Sequence, residues 1–439
     1  MSNMTLSDWV EFRRISATRS LRAAVSATHL CHTRAGFGWQ IRPAPGSVLA
    51  SSRLTHWDPE PDYFHHWVRD AAIVMRVLPD ILKKASAQDA SWWRQAFADY
   101  ISFSLKITDP DETPLATNPL QQTTSDPFRK YLRPDAELQR LNGLARLEEP
   151  RCAADGTPDL ERWSRPQDDG PALRASSTIA ILDACPDLTT PETEQLIRRD
   201  LAHLARIAGR PSIGPWEDPP KRHDGFTLIS QWDALSRGAD WLVAQGCDGS
   251  ALLICAQKVM EWIDRTADPH EPAWKAAVES PAGCYDSATV LAILHAQRCD
   301  GPLAITAERT LGTVAALEDE ARALYTINEN QKVPAIGRFK ADDFFGGNPW
   351  LPITLGFAEL HYKIAVLFDC DRAFKRADRG MALIRKFIPD DHALPEQIDR
   401  HTGAPTSCLN LSWSAAAFIG AAEAHNCAHA TMRPSTSQL

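Results

Sequence analysis

Apolar residues recur at three- and four-residue spacing in segment after segment of this chain, while alternating runs of Val, Ile and Thr are almost absent. The first pattern lays apolar side chains along one face of a helix; the second is what a half-buried strand needs. The spacing therefore predicts a mainly helical protein, with helices over 5–30, 67–84, 88–107, 171–184, 191–207, 226–244, 250–264, 285–297, 302–320, 349–368, 372–387 and 411–426. These come roughly in pairs, which is how a closed ring of antiparallel helix hairpins would read. No exact repeat and no Gly/Ser-rich linker divides the chain, so one domain over 1–439 is expected, with a frayed tail at 431–439.

Several function classes are disfavoured by composition. Hydrophobic residues make up 44% and charged residues 23%, the balance of a globular protein. A net charge of −9 argues against general nucleic-acid affinity and against attachment to anionic membrane. The N-terminal stretch places charges every few positions and lacks the apolar core of a secretory leader. No uninterrupted apolar run approaches the roughly 20 residues that span a bilayer. Ten cysteines are scattered without a Cys-x-x-Cys pair, so zinc-ribbon and thioredoxin-type readings fail. Free thiols in a reducing cytoplasm fit this best, and a cytoplasmic monomer or homodimer is expected.

The long connections 43–66, 108–170, 208–225, 327–348 and 388–410 hold five clusters: "YFHHWVRD" (63–70), "RWSRPQDDGPALRA" (162–175), "GPWEDPP" (214–220), "IGRFKADDFFGGNPW" (336–350) and "LPEQIDRHTGAPTS" (394–407). Aromatic faces stack on the C–H faces of a sugar ring, while Arg and carboxylates take its hydroxyls in paired hydrogen bonds. Five such loops converging at one mouth would form a carbohydrate pocket. Each cluster alone also reads as an ordinary helix start: Asp70 suits a first turn, and "NPW" and "DGPALR" supply a cap and an early proline.

Glycosidic cleavage needs two carboxyl groups in opposite protonation states. Glu217 and Glu396 are the best pair. Glu217 follows Trp216 and precedes Asp218, so apolar cover and a neighbouring acid would favour its protonated form. Glu396, between Pro395 and Gln397, is expected in a less buried loop that keeps it ionised as a base. Rival chemistries find no motif: G-x-x-x-x-G-K-[ST], H-E-x-x-H, a dinucleotide glycine fingerprint and G-x-S-x-G are all absent. His65 and His66 do not face one way and lack a matching third ligand, so no metal and no cofactor is expected.

At this point the residues resemble a known family, glycoside hydrolase family 15, the glucoamylases, over about 46 to 420. Gly46-Ser47-Val48-Leu49-Ala50-Ser51 and Tyr63-Phe64-His65-His66-Trp67-Val68-Arg69-Asp70 are similar to its first motif. "RPQDDGPALRA" (165–175), "GNPW" (347–350) and "PEQIDRHTG" (395–403) match three further stretches. The resemblance implies an all-α (α/α)6 barrel of twelve helices and an inverting hydrolase that releases β-glucose from non-reducing ends of α-glucosides. By the same resemblance Glu217 is the general acid and Glu396 the general base. Arg69 and Asp70 would hold the terminal glucose hydroxyls, with Trp67 and Tyr63 as wall. Trp163, Arg165, Trp216, Arg338 and Trp350 would line this subsite and the next, Asp218 would reach beyond the cleaved bond, and Trp413 would back the base.

The chain departs from the family pattern on the leaving-group side. Trp216-Glu217-Asp218 stands for Trp-Glu-Glu, Gly214-Pro215 for Asp-Leu, Gly337-Arg338-Phe339 for Gly-Arg-Tyr, and Cys408-Leu409-Asn410-Leu411-Ser412-Trp413-Ser414 for Ala-Arg-Asp-Leu-Thr-Trp-Ser. Reaction type is therefore better specified than linkage. Short α-glucans or disaccharides are the expected substrates. The alternatives are an isomaltose- or trehalose-specific glucohydrolase, an inactive sugar-binding barrel, and an (α/α)6 epimerase, which would have no need of two glutamates.

Overall fold

The computed structural model describes residues 4–57, 59–388 and 393–432. In chain order its helices are α1 (Leu6–Ala24), α2 (Val68–Arg76), α3 (Leu78–Lys84), α4 (Ala87–Ile107), α5 (Asp135–Leu138), α6 (Asp169–Ala184), α7 (Pro191–Ile207), α8 (Gly225–Ala244), α9 (Ser250–Asp264), α10 (Ser287–Ala296), α11 (Glu308–Leu324), α12 (Leu351–Phe368), α13 (Asp371–Phe387) and α14 (Ser412–Met432). Three short antiparallel ladders accompany them: β1 (His32–Arg34) with β2 (Trp39–Ile41), β3 (His65–Trp67) with β4 (Arg151–Ala153), and β5 (Gln397–Ile398) with β6 (Pro405–Thr406).

Helix starts follow local chemistry. Ser86 and Asp224 accept from the backbone N–H three residues on, and Thr190 forms a capping box ahead of Pro191. Four expectations are corrected. The segment 67–84 is two helices, because Pro79 has no N–H to bond the Met75 carbonyl and its ring crowds that carbonyl. Trp67 belongs to β3 and sits at the entry to α2. The first helix stops at Ala24, where Val25 bridges Val48 and Ser26 turns through a positive φ of 49°. The helix expected at 302–320 lies at Glu308–Leu324. Of the expected tail, Thr431 and Met432 are helical; 433–439 lie outside the described residues.

The chain divides into two compact units. In Arg22–Glu261, α2 packs on α6, and α6 on α7 and α8. Every residue of α2 from Val68 to Met75 is buried, as is every residue of α6 from Asp169 to Ile179. α7, by contrast, buries one face through Leu196, Ile197, Leu201 and Leu204. Helices buried all round are inner helices; those that bury one apolar stripe cover them.

The second unit, Met1–Leu21 with Trp262–Leu439, repeats that division. α12 is buried from Leu351 to Ala358 and packs on α10, α13 and α14, whereas α13 buries one face through Phe374, Ala377, Met381 and Ile384. By length and composition α12 is apolar enough to cross a membrane, but 67% of it is buried inside the protein, as in a core helix.

Candidate active site

Within Arg22–Glu261, four N–H donors from two segments, 67–69 and 163–167, converge on Glu217. Trp67 Nε1 donates to Oε1 at 2.8 Å, Gln167 Nε2 at 3.0 Å and an Arg69 guanidinium N–H at 3.3 Å. Trp163 Nε1 donates to Oε2 at 2.8 Å. Each donor has its own anchorage. Trp67 ends β3, which pairs with β4 at Arg151, and the Arg151 guanidinium lies over both rings, 4.8 Å from Trp67 and 3.6 Å from Trp163. Arg69, in the first turn of α2, is also bonded at 2.9 Å to Asp169, the first residue of α6. Glu217 ends a tight turn in which its N–H reaches the Gly214 carbonyl at 3.0 Å, and its φ is +65°. Glutamate gains nothing locally from that left-handed backbone, so the turn and the donors impose it.

Charge is concentrated there. Burial pushes the Asp70 carboxyl up to about 6, with Glu217 and Asp169 adding to the rise and Arg69 opposing it. Burial also raises Asp169, against the pull of Arg69. Burial alone would lower the Arg69 guanidinium, but Asp169, Asp70 and Glu217 together hold it above its usual range. An aromatic wall stands beside this group: Trp67 is 5.5 Å from Tyr63 and 5.9 Å from Trp163 between centroids, and Trp57 is 6.3 Å from Tyr63 and 6.1 Å from Trp163.

In the other unit Glu396 enters the β5–β6 hairpin. Its N–H donates to the Cys408 carbonyl at 2.7 Å, and its carbonyl accepts the N–H of Leu351 at 2.8 Å. The Ser407 hydroxyl donates to Glu396 Oε2. Glu396 is 2% exposed, so the expectation of a less buried loop is corrected. The hairpin draws it inward, Trp350 bridges the neighbouring Gln397, and the Ser414 hydroxyl donates to the Pro395 carbonyl at 2.6 Å. Arg338 is paired with Asp342 and lies 5.1 Å from the Trp350 ring and 5.2 Å from that of Phe344.

A carboxyl ringed by indole and guanidinium donors, and a second held by a serine hydroxyl, are groups suited to acid–base work on a sugar. The family model described as Glycosyl hydrolases family 15 matches residues 38–375. The chain belongs to that family. Its relatives include glucoamylase-1 of Schizophyllum commune, 26% identical over 87% of this chain and 69% of that protein, and glucoamylase P of Amorphotheca resinae, 27% identical over 85% and 64%. The chain thus spans about two thirds of the length of such relatives. Solved structures agree on the fold: the family 15 glucoamylase from Hypocrea jecorina has a TM-score of 0.76 at 22% identity, covering 96% of this chain and 73% of that one. The glucoamylase from Saccharomycopsis fibuligera gives 0.75 at 20%, covering 97% and 96%. The fold is accordingly the all-α (α/α)6 barrel of glucoamylases, as the family resemblance implied.

For a family 15 chain, the expected site residues fall into two sets. Tyr63, Trp67, Arg69, Asp70, Trp163 and Glu217 form one neighbourhood; Arg338, Trp350 and Glu396 stand on adjoining segments of the other unit. Trp216, half-buried, and Asp218, exposed, flank Glu217, and Trp413 is buried in the first turn of α14. Arg165 is committed elsewhere: it bonds Glu149 at 3.0 Å, Asp159 at 2.6 Å and the Trp163 carbonyl at 3.0 Å, so it props Trp163. Sequence reasoning missed Gln167, Asp169, Ser407 and Trp57. The first two lie inside the quoted "RPQDDGPALRA" and Ser407 closes the quoted "LPEQIDRHTGAPTS", so these three had a signal; Trp57 is placed by a loop and had none.

The paired histidines need a correction. His65 and His66 point to opposite faces of β3, as expected, but His65 does meet two acids, Asp159 and Glu161. Arg151 bonds Asp159 at 2.9 Å and Arg34 stands 3.5 Å from Glu161, so this cluster is already a charge-paired network. His66 Nδ1 accepts the Val48 N–H at 3.0 Å, and burial lowers its ring to about 3, which keeps it neutral.

Proposed function

We propose that this chain is an inverting, exo-acting α-glucoside hydrolase that releases β-glucose from the non-reducing ends of short α-glucans, with Glu217 as general acid and Glu396 as general base. The observation that carries this reading is the convergence of Trp67, Arg69, Trp163 and Gln167 on the Glu217 carboxyl. Oε1 accepts three of those donors and Oε2 one, so Oε2 is the oxygen with capacity for the proton given to the leaving glucosidic oxygen. Arg69 and Asp70 take the hydroxyls of the departing glucose, with Tyr63 and Trp67 against its ring. Water activated by Glu396 then attacks the opposite face, the Ser407 hydroxyl keeping Oε2 of that base oriented. Maltose and maltooligosaccharides are the first reading of the substrate and isomaltose or trehalose the second, since Asp218, a methylene shorter than the family's usual glutamate, and the Gly214-Pro215 turn alter the family pattern beside Glu217. A cytoplasmic location belongs to the same proposal, and recovery in a periplasmic fraction would overturn that part.

Proton NMR of fresh reactions with maltose, isomaltose, trehalose and maltoheptaose tests it. β-Glucose appearing ahead of mutarotation is expected, and the fastest substrate names the linkage. α-Glucose first would rule out inversion, and no glucose from any of the four would favour an inactive sugar-binding barrel.

A further inference from the structure

Where α13 packs on α14, three side chains capable of ligating a metal meet. Asp378 lies on α13; His425 and His429 stand one turn apart on α14, which puts both on one helix face. One ligand atom from each lies within 4.8 Å of the other two. His429 Nε2 is 3.1 Å from Asp378 Oδ1, the spacing of two donors sharing one ion through bonds of about 2.0–2.2 Å. The two imidazoles lie 4.0 Å apart between centroids, tilted by 33°. Tyr362, on α12, donates its hydroxyl to Asp378 Oδ1 at 2.8 Å, the outer contact that fixes a ligating carboxylate. His425 is 1% exposed, whereas the side chains of His429 and Asp378 are 24% and 22% exposed, so an ion could enter from solvent and keep a position for water.

We propose that Asp378, His425 and His429 form a site for one divalent transition-metal ion, zinc fitting best, which ties α13 to α14. Two neutral imidazoles and one carboxylate are a ligand set that zinc accepts with water in the fourth place. An ion that binds the folded chain and not the unfolded one stabilises the fold by mass action. This site stands apart from the proposed hydrolysis, because none of its three ligands is among the residues assigned to the reaction.

The test uses the full chain without a polyhistidine tag, stripped with chelator and titrated calorimetrically with zinc chloride, the bound zinc being counted by mass spectrometry. One ion per chain and a raised Tm are expected. His429→Ala and Asp378→Asn, both at partly exposed positions, should each weaken binding by more than the roughly 10–100-fold that loss of an outer-shell partner costs. Zinc held at any of the ten free thiols would survive both substitutions and so is separated from this site. No zinc uptake by the wild-type chain, or an unchanged affinity in either folded variant, overturns the proposal.

Discussion

Two carboxyl groups meet opposite treatment by their surroundings. Glu217 is half-buried and held by nitrogen donors; Glu396 is buried and held by a hydroxyl and its own hairpin. Glu217→Gln and Glu396→Gln should each lower kcat by about 10²- to 10⁴-fold, the worth of a positioned proton-transfer group, while substrate still binds; steady-state kinetics with isothermal titration of maltose checks both. Asp70 predicts a pH effect on stability. An unfolded aspartate titrates near about 3.9, and the folded Asp70 near about 6, so the folded state binds its proton more tightly. That contribution is fully present below about pH 4 and is lost as pH rises through about 6. Asp70→Asn should therefore be more stable than wild type at pH 7.5, by on the order of 3 kcal/mol, with the difference vanishing near pH 4 in urea unfolding. Trp57 is 44% exposed and touches Tyr63 and Trp163 edge-on or tilted. Trp57→Ala is expected to raise KM for maltoheptaose about two- to tenfold, the range of one lost aromatic contact, with Tm unchanged. Glu217, Arg69 and Trp67 stood out in the sequence as an acid, a guanidinium and an indole in clustered motifs, and the structure brings the three together. The convergence of donors on Glu217 was not legible, because they come from positions 50 to 150 residues away in sequence.

At the scale of elements, most helices were legible in the apolar spacing, whereas the division into inner and covering helices shows only in their burial. Boundaries were less legible. A proline at the second position of α3 explains the α2–α3 break, but the β3–β4 and β5–β6 pairings rest on three- and two-residue strands, too short for any alternation to show. Those ladders matter most for the site, since they aim Trp67 and draw Glu396 inward. The contact between α2 and α6 is equally tight. A Cβ added to Gly170 would stand 3.0 Å from Val68 Cβ and Cγ1, next to the Arg69–Asp169 pair. Gly170→Val should cost about 1–3 kcal/mol of stability through overpacking. It should also lower kcat/KM about tenfold or more by tilting Arg69 away from Glu217, a loss that comparison with an equally destabilised variant would expose.

For the molecule as a whole, a net charge of −9 coexists with a proposed neutral substrate. A neutral sugar is not steered by that field, so kcat/KM for maltose should change less than about twofold between low and high salt, whereas a charged substrate would show a steep dependence. The fold class was legible because it depends on summed patterning over hundreds of residues, which errors at single helix ends do not disturb. Burial of α12 bears on how the chain comes to be folded. Much of its cover is supplied by α13 and α14, both made after it, so a nascent chain carries an 18-residue apolar helix uncovered until those segments leave the ribosome. During that interval the chain is a client for holdase chaperones and prone to self-association, and any break that removes α14 makes the exposure permanent.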